Sequence, residues 1–230
     1  MPDIRIQSKD GEFGAYLALP TGGKGPGVVV IQEIFGVNAV MRGFCDFYAS
    51  QGYIAICPDL FWRQEPGIQI TDQSQAEWDK AFSLYQGFHV AKGVDDLFLT
   101  LAYLREYPGC TGKAGAVGFC LGGKLAYLMA TRTSCDVSVG YYGVGIENDL
   151  GEATAITKPL ILHIAEKDGY CPPEAQAKIA AGLGHNPLVT LHTYPNVDHA
   201  FARKGGAHYD KAAADLAEQR TLDAFKKYLA

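Results

Sequence analysis

The sequence predicts an α/β fold occupying residues 1–230 as one domain: a mostly parallel sheet with helices on both faces and an antiparallel hairpin at its N-terminal edge. Three observations predict it. Short β-branched runs alternate with helix-length segments, the order that parallel βαβ units require. One run, Val28-Val29-Val30-Ile31-Gln32, is almost continuously apolar, as strands covered on both faces are. Finally, a chain of 230 residues suits one large core, and no linker, repeat or low-complexity tract divides it.

The elements follow in order. Ile4 to Gln7 and Glu12 to Leu19 alternate around Asp10-Gly11, which predicts the edge hairpin. The Val28 strand is followed by a helix from Asn38, a good N-cap, to Gly52, a stop. Tyr53 to Cys57 is a second buried strand closed by Pro58, and a loop interrupted by Pro66 leads into a helix over Gln73 to Phe88. Leu97, Leu101 and Leu104 share one face of a helix from about Val94 to Tyr107. Strands are then expected at Lys113 to Phe119, Val137 to Tyr142, Pro159 to Ala165 and Val189 to Tyr194. Helices are expected at Leu121 to Thr131, Glu174 to Leu183 and Ala207 to Leu229.

Composition excludes several function classes. A net charge of -5 and a pI near 5.7, without a dense Lys/Arg cluster, give no field for a nucleic-acid backbone. No apolar run approaches the ~18 residues that span a bilayer, and Met1-Pro2-Asp3-Ile4-Arg5 lacks the layout of a signal peptide. Six cysteines without the density of a secreted scaffold read as free thiols in a reducing, cytoplasmic compartment. None has zinc-ligand spacing, so no metal is expected.

The chemistry concentrates at Gly118-Phe119-Cys120-Leu121-Gly122-Gly123, between a strand and a helix. This is the nucleophile-elbow pattern with cysteine in the serine slot. Glycines two before and two after leave room for a strained turn, and the helix N-terminus favours an anion there. The same residues nearly spell a phosphate loop, but Leu125 stands where a magnesium-ligating Ser or Thr is needed. A buried, inert cysteine in a tight packing turn is the other competing reading.

Two downstream residues favour the elbow. Asp168 follows the strand ending at Ala165, and His199 follows the strand ending at Tyr194, in the nucleophile, acid, histidine order of α/β-hydrolases. Both lie at carboxyl ends of strands, where open α/β sheets bind ligands. Glu166 competes for the acid, while His163 and His192 compete for the base from inside strands. His89, His185 and His208 read as surface residues. Cys45 and Cys57 read as packing residues, Cys110 and Cys135 as turn residues, and Cys171 as a thiol lining the site.

Over nearly its whole length the chain resembles the dienelactone hydrolase (carboxymethylenebutenolidase) family. The resemblance is carried by Gln32-Glu33-Ile34-Phe35-Gly36-Val37-Asn38, Cys57-Pro58-Asp59-Leu60, the cysteine elbow, Gly140-Tyr141-Tyr142-Gly143 and His199-Ala200-Phe201-Ala202-Arg203. It implies an α/β-hydrolase fold and hydrolysis of dienelactone to maleylacetate without a cofactor. It further implies Cys120 as nucleophile, His199 as base and then acid, and Asp168 as the residue orienting the imidazole. Backbone N–H groups of Ile34 and Leu121 are implied as the oxyanion hole, and Glu33 as a carboxylate assisting deprotonation of the thiol.

The family holds its anionic substrate with arginines. Arg203 matches one, but Trp78 stands where the second is expected. That exchange removes a charge-assisted contact of about 1.5–3 kcal/mol. Arg63 is a candidate to compensate, and Trp78 a candidate aromatic wall for another lactone or ester. The expected partner is a small anionic lactone or ester, with no nucleic acid or membrane and with the protein a monomer. The rival from another class is a non-catalytic thiol-sensing or binding protein.

Overall fold

The computed structural model describes residues 4–230, so the part of the leader reading that rests on Met1, Pro2 and Asp3 lies outside the described residues. The chain divides into two compact units, one ending at Gly115 and the other beginning at Ala116, within a single strand.

In the first unit β1 (Ile4–Ser8) and β2 (Gly11–Ala18) form the expected antiparallel hairpin, with Ile4 opposite Ala15 and Ser8 opposite Gly11. β2 pairs antiparallel with β4 (Ile54–Pro58), which lies parallel to β3 (Gly25–Ile31), giving the order β1-β2-β4-β3. Residues 27–31 of β3 are wholly buried, which requires cover on both faces. Helices α1 (Ala39–Ser50) and α3 (Val90–Glu106) both pack against β3 and β4. Asn38 caps α1, its side chain accepting from the N–H groups of Val40 and Met41. The other helix of this unit, α2 (Gln75–Gln86), is capped by Ser74. Helix α3 begins four residues before its apolar period does, because Gly93 and Lys92 in its first turns mask the periodicity.

β5 (Cys110–Phe119) begins in the first unit and ends in the second, where the order is β5-β6-β7-β8, all parallel. The others are β6 (Ser138–Tyr141), β7 (Leu160–Ala165) and β8 (Val189–Tyr194). The helices are α4 (Leu121–Arg132), α5 (Pro173–Leu183) and α6 (Lys211–Leu229). Cys110, expected in a turn, opens β5 instead. The C-terminal helix, expected from Ala207, starts at Lys211: Asp210 accepts from the Ala213 N–H, and its own N–H donates to Phe201 O, so residues 207–210 stay outside the helix. Two 3-10 turns, Ile146–Asn148 and Leu150–Ala155, occupy a stretch with no expected element.

His163 is a satisfied core histidine, as its place within a strand suggests. Its Nδ1 lies 2.8 Å from the Tyr194 hydroxyl and its Nε2 3.1 Å from the Thr221 hydroxyl, which also bonds Tyr141 at 2.6 Å. Burial, then the charges of His192 and Arg220, hold its imidazole well below the ordinary histidine range. A group with a depressed folded pKa stabilises the fold above its unfolded pKa of about 6.5 and loses that contribution as pH falls below it. Unfolding free energy from denaturant titrations is therefore expected to fall between pH 7 and 5. One proton corresponds to about 1.4 kcal/mol per pH unit, and His163→Gln should remove that share of the slope. An unchanged slope would show that another group takes up the proton.

No helix among the described residues is long and apolar enough to cross a membrane.

Candidate active site

β5 ends at Phe119 and α4 begins at Leu121, so the chain turns through Cys120 alone, with φ 56° and ψ -114°. A non-glycine residue there stores about 1–3 kcal/mol of strain, which the surroundings must hold in place. They do so through the backbone. The Cys120 N–H donates to Tyr141 O at 3.1 Å, and the Cys120 carbonyl accepts from the Gly123 and Lys124 N–H groups at 2.9 and 3.3 Å. Gly118 permits the turn, since a Cβ there would sit 1.9 Å from the Gly122 carbonyl oxygen. At the first position of α4, the Leu121 N–H has no acceptor one turn earlier within its own helix.

Asp168 sits in the turn after β7, 2% exposed, with both oxygens engaged. Oδ1 accepts from the N–H groups of Tyr170 and Cys171 at 2.8 and 3.3 Å, and Oδ2 lies 2.9 Å from His199 Nδ1. The rival acid, Glu166, instead accepts the Asn196 N–H. His199, 6% exposed, lies in the loop after β8, where Asn196 and Ala200 take left-handed φ of 61° and 63°. Its backbone N–H donates to Asp198 Oδ1 at 2.6 Å.

His199 is also hydrogen-bonded to Cys120, which is 8% exposed. Burial pulls the imidazolium pKa down, but the Cys120 charge, the Asp168 bond and the Cys120 bond outweigh it and push His199 up to about 10. Cys120, Asp168 and His199 thus form one hydrogen-bonded series inside the second unit. The imidazole is held between the sulfur and a carboxylate that orients it.

Sequence reasoning passed over two residues of this cluster. Tyr142 and Tyr170 meet the His199 ring nearly edge to face, with centroids 5.1 and 4.9 Å away and interplanar angles of 63° and 69°. Tyr142 was visible only as part of a family motif. Tyr170 carried one weak signal, its position two residues after the acid. Cys171, expected to line the site, is buried; burial, then the charges of Asp168 and Glu147, push its thiol up to about 12, which makes it inert near neutral pH. Cys45 is likewise held well up, by burial and then by its bond to Cys57.

Arg203 is almost fully buried in the turn after His199; its N–H donates to Ala200 O, and its carbonyl accepts from the Gly206 N–H. The remaining candidates belong to the first unit. Glu33 and Ile34 are buried in the loop after β3, where the Gln32 side chain donates to Glu33 O and accepts the Leu60 N–H. That loop is fixed by a bridge from Gly36 to Gln69 and by the Ile70 N–H donating to Phe35 O. Trp78 stands edge-on to Phe35 at 5.1 Å and stacks on Phe82 at 5.6 Å, its indole N–H donating to Asp72 O. It therefore supports the loop that carries Ile34.

Arg63 does not compensate for the missing arginine. Its guanidinium forks onto fully buried Asp96 at 2.5 and 3.0 Å, reaches Asp10 at 2.9 Å and lies over Trp62. Every arm is committed to the first unit's own structure.

Residues 13–229 match the model of the dienelactone hydrolase family. The chain is 52% identical to a candidate carboxymethylenebutenolidase of Azospirillum brasilense over the whole of both chains. It is 42% identical to the carboxymethylenebutenolidase of Pseudomonas putida over 96% of this chain and 94% of that one. Among solved structures, a candidate dienelactone hydrolase from Klebsiella pneumoniae superposes with a TM-score of 0.85, covering 97% of each chain at 27% identity. A dienelactone hydrolase-like promiscuous phosphotriesterase from metagenomic libraries gives 0.82 over 99% of this chain and 98% of that one at 21% identity, a likeness of fold alone.

Proposed function

Because this chain belongs to the dienelactone hydrolase family and is a hydrolase of carboxylic ester or lactone bonds, we propose that it opens a small anionic lactone through a thioester on Cys120. Dienelactone, giving maleylacetate, is the leading substrate. The observation that carries the reading is His199 holding Asp168 through Nδ1 while it is also hydrogen-bonded to Cys120.

His199 takes the Cys120 proton as the sulfur attacks the lactone carbonyl, and the Leu121 N–H receives the resulting oxyanion, with the Ile34 N–H as the second donor that the family resemblance implies. The ring C–O bond breaks. The imidazolium of His199 gives its proton to the departing enolate, and the product end tautomerises to the ketone. Neutral His199 then takes a proton from water as that water attacks the thioester, the Cys120 thiolate leaves, and the proton returns to the sulfur. An enol is a good leaving group, which suits a thiolate that would open amides or alkyl esters slowly. Glu33 assists deprotonation of the thiol, and Arg203 receives the substrate carboxylate.

Trp78 favours a second reading of the substrate, since the family resemblance implies an arginine at its position and an aromatic ring stands there instead, edge-on to Phe35. Another activated ester or lactone then replaces dienelactone while the chemistry stays the same. In either case the enzyme acts as a cytoplasmic, single-domain monomer without cofactor.

Turnover of dienelactone, neutral enol lactones and aryl esters, with mass analysis of peptides after acid quench, tests both parts. Acyl mass on the peptide containing Cys120 is expected. Its absence during turnover would end the thioester mechanism. A kcat/KM for neutral lactones equal to that for dienelactone would end the anionic assignment and with it the role of Arg203.

A further inference from the structure

Tyr170 is bound to the catalytic cluster twice. Its N–H donates to Asp168 Oδ1 at 2.8 Å, fixing the carboxylate so that Oδ2 faces His199, and its ring meets the His199 ring at 4.9 Å and 69°. Despite those contacts the residue is 49% exposed, whereas Cys120, Asp168 and His199 are almost wholly buried. A large aromatic ring left half in water gains little from burial, so core packing does not account for its place. Tyr142 meets the imidazole as well, but from a buried position. The imidazole is thus confined by two rings. Only Tyr170 lies on the solvent side.

Asp168 alone does not fix the imidazole. One hydrogen bond at Nδ1 leaves rotation about that bond open, and the nitrogen facing Cys120 swings with it. Rings set nearly edge to face on the imidazole block that swing, and such aromatic pairs contribute about 0.5–1.5 kcal/mol beyond the area they bury. For an imidazolium the ring quadrupole adds attraction when the cation edge meets the aromatic face.

We propose that Tyr170 is a positioning residue whose ring holds the His199 imidazole in register with Cys120. The inference rests on the catalytic reading above for its consequence, but its geometry belongs to the resting protein. The hydroxyl has no part in it, so phenylalanine should serve and alanine should not. The backbone N–H to Asp168 survives either change, which separates the ring's contribution from that of the turn.

The test has two readings on wild type, Tyr170→Phe and Tyr170→Ala. The first is the His199 ring titration by NMR without substrate. The titratable groups around this residue are Cys120 on the elbow, Asp168 on the turn after β7, Tyr142 after β6, Tyr170 itself, and His208, whose Nδ1 lies 3.2 Å from the His199 carbonyl; Asp198, adjacent in its own loop, accepts its backbone N–H. The midpoint near 10 depends on the imidazole facing the Cys120 charge. If Tyr170→Ala lets the ring swing, the midpoint falls by a unit or more toward 6.5. If Tyr170 only covers the site, its removal relieves burial and the midpoint stays or rises, which overturns the proposal.

The second reading is single-turnover acylation by an activated ester. It is expected to slow about 10- to 100-fold in Tyr170→Ala, with KM little changed and with Tyr170→Phe within about threefold of wild type, in line with the loss from a misplaced catalytic group. Equal acylation rates in all three proteins overturn the proposal. A wild type that forms no acyl-enzyme would end the thioester reading instead, and the titration would still decide the role of Tyr170.

Discussion

Cys120→Ala is expected to abolish the acyl-enzyme and lower kcat/KM by about four to six orders of magnitude, the scale at which a nucleophile working as one unit with its base is lost. Cys120→Ser is expected to recover little of it. His199 stands near 10 because the sulfur's charge and the Asp168 bond outweigh burial. A serine hydroxyl is a far weaker acid than a thiol, so its histidine must remove a much more tightly held proton at the moment of attack. In Cys120→Ala the imidazole should titrate well below 10, because the first of the effects raising it is gone. Activity of Cys120→Ala above about 1% of wild type, in protein purified free of carry-over, would remove Cys120 from the mechanism, whatever the family resemblance.

How much of this site was legible in the sequence depended on how local each cause was. Cys120 stood out because the glycines that permit its turn lie two residues away. Asp168 and His199 stood out because they follow the ends of predicted strands, whereas what Glu166 does is a tertiary fact, its carboxylate accepting the Asn196 N–H 30 residues on. Arg63 was not resolvable in this way. Its partners, Asp10 and Asp96, lie 53 and 33 residues away, so whether it faces solvent, substrate or a buried carboxylate is a tertiary fact. Tyr170 failed for the same reason, since a ring contact across 29 residues leaves no periodic trace. The two 3-10 turns between Ile146 and Ala155 were missed because pieces so short have no hydrophobic period. The start of α6 was misplaced because Ala207 to Tyr209 read as helical until Asp210 was seen to cap the next turn. Strand existence was readable throughout, but the insertion of β4 between β2 and β3 was not, because pairing order is set by packing and crossover handedness rather than by residue type.

The elbow can be tested without touching any reacting atom. Gly118→Ala adds one methyl group, and that methyl would lie 1.9 Å from the Gly122 carbonyl oxygen and 2.3 Å from its carbon, both backbone atoms that cannot rotate aside. Either β5 and α4 part, which moves Cys120 from Asp168 and His199, or the protein fails to reach this turn at all. A loss of about 3 kcal/mol or more in unfolding free energy is expected, at the upper end of overpacking effects, together with loss of acylation beyond about 100-fold. Gly43→Ala provides the contrast. Gly43 lies exposed in α1 with nothing within 4 Å of an added Cβ, so the same methyl should stabilise the protein by about 0.5–1 kcal/mol through helix propensity and leave acylation alone. The sign of the two changes separates a steric elbow from a general sensitivity to alanine. A Gly118→Ala protein as stable as wild type and fully able to acylate would mean that Cys120 reacts from a different turn.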